Sequence, residues 1–255
     1  MNPDQFTRDT ELTRSNREKL RRNKNLLYWY EQLYAHMLGP AECSRNKKIL
    51  EVGSGTSPLK LFYPQVITSD ILDLDYLDMR FDCMQIDSAA DIPDAGLDII
   101  TMTNVLHHIT HPVAFLEKAA VKLKPGGSII MAEPFLSTFS KLYFRYLHHE
   151  PIKMNITMPE LDKSDGPLSS ANSALPYLIF FSGRGWDASL HNLYRFDSSR
   201  CDFFTSTAYL ITGGISHVFP IPQWLYRIYL GIDNRLQRRL PNLMALFFII
   251  RLKKK

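Results

Sequence analysis

A glycine-rich loop directly after a short apolar segment limits the possible folds of this chain more than any other feature. Residues 48–52 (Lys-Ile-Leu-Glu-Val) predict a β-strand, and residues 53–55 (Gly-Ser-Gly) follow it without a break. Glycines at such a position turn the chain tightly and let its backbone approach a ligand closely. The loop therefore predicts a strand, a tight turn and a helix that together bind a nucleotide-like ligand.

Strands and helices alternate along the chain after this loop. Further strands are predicted over residues 66–70, 81–86, 97–102 and 128–132, and a helix over residues 112–123 separates the last two. Near-continuous apolar strands joined through helices are typical of a parallel sheet covered on both faces. We therefore expect a doubly wound α/β fold with its ligand site at the carboxyl ends of the strands.

The segments on both sides of this core carry patterns of their own. Residues 150–172, rich in Pro, Ser and Asp, predict a long loop, and loops of that length usually carry function or are disordered. The other flanking elements are predicted from apolar periodicity: helices over residues 18–38, 135–149, 198–211 and 223–240, and strands over residues 216–219 and 246–252.

Charge and cysteine content exclude several classes of protein. Residues 1–48 carry 10 basic and 6 acidic side chains, residues 49–222 carry 12 and 19, and residues 223–255 carry 8 and 1. An acidic body argues against a nucleic-acid-binding protein, whose basic residues should line its working cleft. Three cysteines without metal-ligand or redox spacing indicate a reduced, cytoplasmic compartment. Neither a signal peptide nor a membrane-spanning segment is predicted.

The predicted helix over residues 223–240 is amphipathic, with two arginines, Arg227 and Arg238, off its apolar side. We expect that side to pack on the sheet. The alternative is peripheral contact of residues 223–255 with the inner face of a membrane, with the arginines at anionic headgroups. The apolar side comprises Trp224, Leu225, Ile228, Tyr229, Ile232, Leu236 and Leu240.

Acidic side chains follow the predicted strands and surround the glycine-rich loop. Glu51 suits a ligand that carries positive charge, and Asp70 can accept hydrogen bonds from both hydroxyls of a ribose. Asp87, beside Ser88, can hydrogen-bond an adenine amino group. A dinucleotide-binding loop would have its third glycine where this chain has Pro58, which argues against a nicotinamide-dependent oxidoreductase.

Five segments together resemble the class I S-adenosylmethionine-dependent methyltransferases, and within them the methyltransferase type 11-like branch. They occur in the family's order, at residues 49–55, 68–70, 85–88, 104–109 and 123–127. The resemblance implies a seven-stranded, mostly parallel sheet with an antiparallel last strand and an inserted helical and loop lobe after the fifth strand. It implies S-adenosylmethionine as cofactor, with these binding residues: Glu51, Gly53, Ser54, Gly55, Asp70, Ile71, Asp87, Ser88 and Asn104.

On this basis the chain divides into four parts. They are an N-terminal tail and packing helix (1–46), a cofactor-binding half (47–134), a substrate-side insertion or lid (135–214) and a closing strand–helix–strand segment (215–255). Ser57 departs from the family pattern, which frequently has a third glycine there.

Two histidine pairs are candidates for chemistry. His107 and His108 are adjacent in sequence and so do not share a helix face, which argues for a structural role in the cofactor pocket and against a metal site. We therefore predict no metal ion. His148 and His149, followed by Glu150, come after the fifth strand, where a histidine oriented by the carboxylate could take a proton from a hydroxyl. The alternative is that these histidines only favour a helix C-terminus electrostatically.

The predicted function is methyl transfer to a small-molecule, sugar or lipid-linked glycan acceptor, most simply O-methylation. The segments after residue 147 are similar to methyltransferases associated with surface-polysaccharide biosynthesis, which implies a sugar hydroxyl as acceptor. The alternative is a non-catalytic, membrane-associated scaffold that keeps the fold. The oligomeric state is not predicted.

Overall fold

The structure is a computed structural model that describes residues 3–42, 46–146, 150–161 and 166–255. The helices are α1 (Pro3–Arg22), α2 (Lys24–Glu42), α3 (Leu59–Phe62), α4 (Pro112–Lys122), α5 (Thr138–Tyr146), α6 (Leu175–Phe180), α7 (Leu190–Leu193), α8 (Thr207–Leu210), α9 (Gln223–Arg239) and α10 (Pro241–Met244). The strands are β1 (Ile49–Val52), β2 (Ile67–Asp70), β3 (Met79–Arg80), β4 (Leu97–Thr103), β5 (Leu123–Pro134), β6 (Tyr194–Arg195), β7 (Asp202–Phe204) and β8 (Phe247–Lys254).

The strands form one mixed sheet in the order β3-β2-β1-β4-β5-β8-β6. Strands β1 to β5 pair in parallel, and β8 pairs antiparallel to β5. The doubly wound α/β fold with an antiparallel last strand is thus confirmed. The strand order reverses between β1 and β4, so a crevice opens at the carboxyl ends of these two strands.

The sheet has eight strands, so the expected count of seven was wrong. The extra strand arises because two short strands cover one edge of β8: β6 pairs with residues 253–254, and β7 pairs with residues 247–249. A 3₁₀ turn separates them, and Asp197 caps it by accepting hydrogen bonds from the backbone N–H and hydroxyl of Ser199. This local bonding interrupts what would otherwise be a single edge strand.

Three predicted elements are replaced by other structures. Most of the predicted strand over 81–86 forms a 3₁₀ helix (Cys83–Ser88), because Asp82 accepts the Met84 N–H and starts a turn. The predicted helix over 198–211 divides into a 3₁₀ turn, β7 and α8. The predicted strand over 216–219 is an exposed loop that follows two glycines with positive φ.

The N-terminal segment is helical from Pro3, where a polar tail was expected. Helices α1 and α2 meet at Asn23, whose side-chain oxygen accepts the Leu26 N–H (3.1 Å) and so starts α2. The Asn23 side-chain amide also donates to the carbonyl oxygen of Thr212 (2.9 Å). Asp9 on α1 accepts the Leu168 N–H (3.0 Å). Helix α1 therefore lies over the carboxyl end of the sheet and contacts the loop before α6.

Apolar clusters cover both faces of the sheet. One contains α4 and α6 with the side chains of Phe115 and Leu175. The other contains α2, α8 and the inner side of α9, with Trp29 packed against Phe204 and Phe247. Burial of these clusters on both faces accounts for the near-continuous apolar strands in the sequence.

The side of α9 that was expected to pack on the sheet is exposed instead. Trp224, Ile228 and Ile232 have exposed fractions of 66%, 55% and 55%. The opposite face is buried, where Asp233 accepts backbone N–H groups at the start of α8 and Gln237 donates to the carbonyl oxygen of Phe203. Polar contacts thus determine the orientation of the helix, and periodicity alone gave the wrong face. In the described parts of the chain, no helix is long and apolar enough to cross a bilayer.

Candidate active site

A cleft of about 670 Å³ opens where the strand order reverses. The loop after β1, the ends of β2 and β4, and one side of α1 form its walls. Most of the predicted cofactor-binding residues lie at or beside this cleft, and Gly53, Gly55, Asp70, Ile71 and Asn104 line it directly.

Side chains pack closely against the backbone of the two loop glycines. Gly53 has a φ of +71°, and a Cβ atom there would lie 2.5 Å from the Val105 side chain. A Cβ atom on Gly55 would lie 2.9 Å from Thr13 and 3.1 Å from Asp70 Oδ2. The loop therefore exposes bare backbone to the cleft, which lets a ligand approach closely.

Asp70 ends β2 at the cleft. Its Oδ2 accepts the Gly55 N–H (2.9 Å), and its Oδ1 accepts the Leu72 N–H (3.0 Å). Burial raises the pKa of Asp70 above its ordinary value, and these backbone hydrogen bonds oppose the shift. A carboxylate fixed in this way can accept hydrogen bonds from neighbouring hydroxyl groups.

Glu51 lies under the glycine-rich loop and is almost fully buried. Its Oε1 accepts the Ser57 hydroxyl (2.5 Å), whose oxygen also lies 2.9 Å from the Tyr34 hydroxyl. Its Oε2 is buried and has no hydrogen-bond partner among the described residues. Burial raises the pKa of Glu51 to about 7. Ser57, which departs from the family's frequent glycine, thus binds the loop's own carboxyl group.

The structure does not bring Asp87 and Ser88 to the cleft. Asp87 pairs with Lys118 (3.4 Å), and the Ser88 hydroxyl donates to the carbonyl oxygen of Gln85. Asp82 and Met84 line the cleft instead, since the chain turns directly after β3. Asp82, the acid that directly follows β3, therefore reaches the cleft, and Asp87, five residues later, does not.

Asn104 follows β4 in a left-handed conformation, with a φ of +56°. Its backbone N–H donates to the carbonyl oxygen of Ala132, and its side-chain oxygen is buried without a hydrogen-bond partner in the described structure. A non-glycine residue in this conformation costs energy that its surroundings must offset, which is common at ligand sites.

His107 and His108, which are adjacent in sequence, both line the cleft. A 3₁₀ turn (Leu106–His108) places their ring centroids 4.3 Å apart. His107 lies between two carboxylates, with its Nδ1 2.7 Å from Glu133 Oε2 and its Nε2 3.2 Å from Glu150 Oε2. His108 Nε2 is 3.6 Å from Glu150 Oε1. Two histidines and two glutamates therefore form one cluster.

Charge dominates the protonation of this cluster. Burial alone would lower the pKa of His107, but Glu133 and Glu150 outweigh it and raise the pKa to about 10. Burial alone would raise the pKa of Glu150, but His107 and His108 hold it well below its ordinary value.

The other two predicted catalytic residues, His148 and His149, lie outside the described residues.

Comparison with known proteins identifies the family of this chain. A family model described as a methyltransferase domain matches residues 20–208, which is more than half of the chain. The chain belongs to this family. This methyltransferase-domain family agrees with S-adenosylmethionine as the cofactor that the sequence predicts.

The cleft of the methyltransferase suits this cofactor. Bare backbone at Gly53 and Gly55 admits a close ligand, and the Asp70 carboxylate lies at the strand end beside it. Two buried oxygen atoms, Glu51 Oε2 and Asn104 Oδ1, have no hydrogen-bond partner among the described residues. Buried polar atoms of this kind normally have a partner, and a polar ligand would supply it.

Two curated proteins are similar to a part of the methyltransferase. One, the ubiquinone biosynthesis O-methyltransferase of Idiomarina loihiensis, is 34% identical over 61 residues, which cover 24% of this chain and 23% of that protein. The protein of the same name from Neisseria meningitidis is 27% identical over 71 residues, 28% of each chain. The match spans about a quarter of the length of these relatives.

Solved structures of methyltransferases are similar to most of this chain. One from Archaeoglobus fulgidus has 15% identity and a TM-score of 0.47, and the match covers 88% of this chain and 94% of that chain. One from Mesorhizobium loti has 14% identity and a TM-score of 0.44, with 88% and 96% covered.

Two parts of the methyltransferase cleft were not predicted from the sequence. Asp82 was overlooked, although it is the first acid after the third strand. The α1 side chains Gln5, Asp9 and Thr13 also line the cleft. Pro3 near the start of α1, with an acid in its first turn, was the available signal for a helix there.

Proposed function

We propose that this methyltransferase methylates an oxygen atom of a small-molecule, sugar or lipid-linked glycan acceptor. The cluster of His107, His108 and Glu150 in the wall of the cleft carries the proposal. A hydroxyl must lose its proton to become a nucleophile, whereas an amine acceptor needs only its neutral form. The two curated relatives named as O-methyltransferases support an oxygen acceptor.

S-Adenosylmethionine supplies a methyl group already activated on a sulfonium, so the protein must mainly bind, orient and exclude water. We assign backbone contact to Gly53, Ser54 and Gly55, and the ribose hydroxyls to Asp70 next to Ile71. We assign the adenine to Asp82 and Met84 in place of Asp87 and Ser88. Asn104 lines the floor of this site, and His148 and His149 remain predicted proton acceptors.

The acceptor class can be tested with tritium-labelled cofactor. Purified protein would be incubated with a quinol, with free sugars and with lipid-linked glycans, each beside an amine-bearing analogue. We expect label in an ether linkage on one oxygen acceptor. Label that appears only on amines would overturn the proposal.

We assign Glu51 to the positively charged amino group of the cofactor, and this makes a prediction about pH. Below pH 7 the Glu51 carboxyl is mostly neutral, and above it a carboxylate, since its pKa is about 7. In the ligand-free protein the neutral form contributes stability below the ordinary pKa, which is lost as the pH rises through 7. Only the ionised Glu51 carboxylate attracts the positively charged amino group of the cofactor. Because the ionised fraction of Glu51 rises about tenfold between pH 6 and pH 8, the affinity for the cofactor should rise about tenfold over this range.

The measurement is calorimetric titration with S-adenosylmethionine at each pH, with Glu51→Gln as reference. The cofactor's own titration affects both proteins equally, so only the difference between them reports on Glu51. Arg17, Asp70 and Tyr34 also face Glu51 and are unchanged in the variant. Identical pH profiles for the two proteins would show that Glu51 does not face the amino group.

We further propose that the exposed side of α9 binds an anionic membrane surface, which suits a lipid-linked acceptor. The side comprises apolar residues with exposed fractions of 42–66%: Trp224, Leu225, Ile228, Ile232 and Leu236. Leu240, Leu243, Val218 and Phe219, which precede or follow α9 in sequence, are also exposed. Monomeric proteins rarely expose so continuous an apolar patch.

Charge at this face favours a lipid surface as the occupant. Arg227, Arg235, Arg238 and Arg239 are exposed on the same helix, whose one acidic residue, Asp233, is buried. Each basic residue near an anionic leaflet contributes about 1 kcal/mol of attraction. A helix that exposes both apolar side chains and arginines can lie in the plane of an anionic membrane interface.

We expect the protein to sediment with vesicles that contain phosphatidylglycerol, and much less with pure phosphatidylcholine. The double variant Ile228→Ser/Ile232→Ser should reduce the bound fraction at least tenfold. Leu61→Ser/Val121→Ser removes two comparably exposed apolar side chains elsewhere and should change nothing. A dimer in sedimentation equilibrium that the α9 variant dissociates would assign the face to a second copy and refute membrane binding.

A further inference from the structure

Both histidines of the cleft cluster use one ring nitrogen to bind the protein. His107 Nδ1 contacts the Glu133 carboxylate (2.7 Å), and His108 Nδ1 contacts the carbonyl oxygen of Ser170 (2.9 Å). A carbonyl oxygen can only accept, and the other oxygen of Glu133 already accepts two backbone N–H groups. Each Nδ1 therefore carries the hydrogen atom, and Nε2 is the atom of each ring left to bind a ligand.

The two Nε2 atoms converge on the carboxylate of Glu150, at 3.2 Å and 3.6 Å. One ligand atom from each of the three residues lies within 4.8 Å of the others. A ring lone pair that faces a carboxylate is repelled by it, so a cation has to lie among these atoms. Either protons on Nε2 or a metal ion can fill this position.

The surroundings favour a metal ion. Two imidazoles and one carboxylate form the ligand set of open catalytic zinc sites and of non-haem iron sites. Glu133 lies behind His107 as the carboxylate that typically orients a metal-binding histidine. The ligand residues also line the cleft, so positions on the ion stay open to a substrate.

We propose that His107, His108 and Glu150 bind one divalent transition-metal ion, which binds the hydroxyl group of the acceptor. This inference rests on the proposed O-methylation. A hydroxyl on the ion releases its proton to water, the electron pair of the broken O–H bond stays on oxygen, and that oxygen is the nucleophile. The cluster would thus supply the proton loss that an oxygen acceptor requires.

The test begins with the full chain, purified without a metal-affinity tag, and its metal content. The metal-free protein is then titrated with Co²⁺, whose visible absorption reports imidazole ligation, and Zn²⁺ is used as competitor. We expect one ion per chain. His108→Asn and Glu150→Gln should each weaken Co²⁺ binding more than about 100-fold, because even indirect partners of ligating histidines contribute about 10–100-fold.

His111→Asn is the matched control, because His111 faces the carboxylate of Glu160 at the surface (3.3 Å) and does not line the cleft. Its Co²⁺ affinity should equal that of the wild type. Absence of a Co²⁺ spectrum in wild-type protein, or equal affinity in the Glu150→Gln variant, would mean that protons alone fill the cluster. This result does not depend on whether the variants fold, since the wild-type titration decides it.

A parallel titration with S-adenosylmethionine separates the two proposals. Protein that binds the cofactor and methylates an oxygen acceptor but binds no Co²⁺ would refute the metal site alone. Protein that binds Co²⁺ at the cluster but methylates only amines would refute O-methylation and, with it, the role assigned to the ion.

Discussion

Replacing Asp70 with alanine should lower the affinity for S-adenosylmethionine by about 100-fold or more. Asp70 ends β2 at the cleft, and backbone N–H groups on both sides hold its carboxylate in place. We assign the ribose hydroxyls to this carboxylate. Hydrogen bonds to a charged group contribute about 1.5–3 kcal/mol each, so losing two costs at least about 3 kcal/mol of binding free energy.

Asp75→Ala is the control for this prediction, since Asp75 follows in the same loop and has an exposed side chain, 4.0 Å from Arg14. Calorimetric titration of both variants with the cofactor and with its demethylated product gives the comparison. The control should bind as the wild type does. If Asp70→Ala bound equally well, the placement of the ribose at β2 would be wrong, whereas the fold and family would stand.

The sequence predicted the parallel core well because each strand there is buried on both faces. Strands β1, β2, β4 and β5 appear within a few residues of their predicted bounds, except that β5 extends to both sides. Continuous apolar runs between turn residues leave few alternatives for such strands. The position of the glycine loop and of Asp70 at the cleft could be predicted from these strands, because the strand ends at a reversal of strand order determine where the cleft lies.

The residues on the adenine side of the site could not be predicted from apolar patterns. The choice between Asp82 and Asp87 depends on where the third strand ends, and β3 has only two residues. Asp82 starts a 3₁₀ helix that turns Asp87 toward Lys118. Boundaries of short elements depend on such local hydrogen bonds, which apolar periodicity does not report.

The histidine–glutamate cluster on the substrate side was not predicted for a different reason. Glu133, His107 and Glu150 are far apart in sequence and meet only because β5 lies beside β4 and Glu150 lies at the cleft. The orientation of α9 likewise depends on Asp233, a single buried acid within an otherwise regular amphipathic pattern. Hydrogen bonds and ion pairs between residues far apart in sequence thus determine the cluster and the orientation of α9, and the pattern of apolar residues does not report them.

Glu133→Ala should lower the free energy of unfolding by about 3–5 kcal/mol, the largest loss that we expect from a single substitution. The Glu133 side chain is fully buried at the end of β5. Its Oε1 accepts the N–H groups of Val105 and Leu106 (2.8 Å each), and its Oε2 pairs with His107. Alanine would leave two N–H groups unsatisfied and His107 without this carboxylate, and breaking a buried pair from one side carries this cost.

Chemical denaturation of the purified variants would measure the loss, with Glu160→Ala as the surface counterpart. Glu160 faces His111 at 3.3 Å, but both side chains are at least 40% exposed, so its removal should cost less than about 1 kcal/mol. Glu133→Gln should fall between the two, because the amide oxygen can still accept both N–H groups although the charge is gone. If Glu133→Ala were as stable as the Glu160 variant, the turn after β4 would be held by packing alone. The cluster would then not be the fixed scaffold on which a substrate site depends.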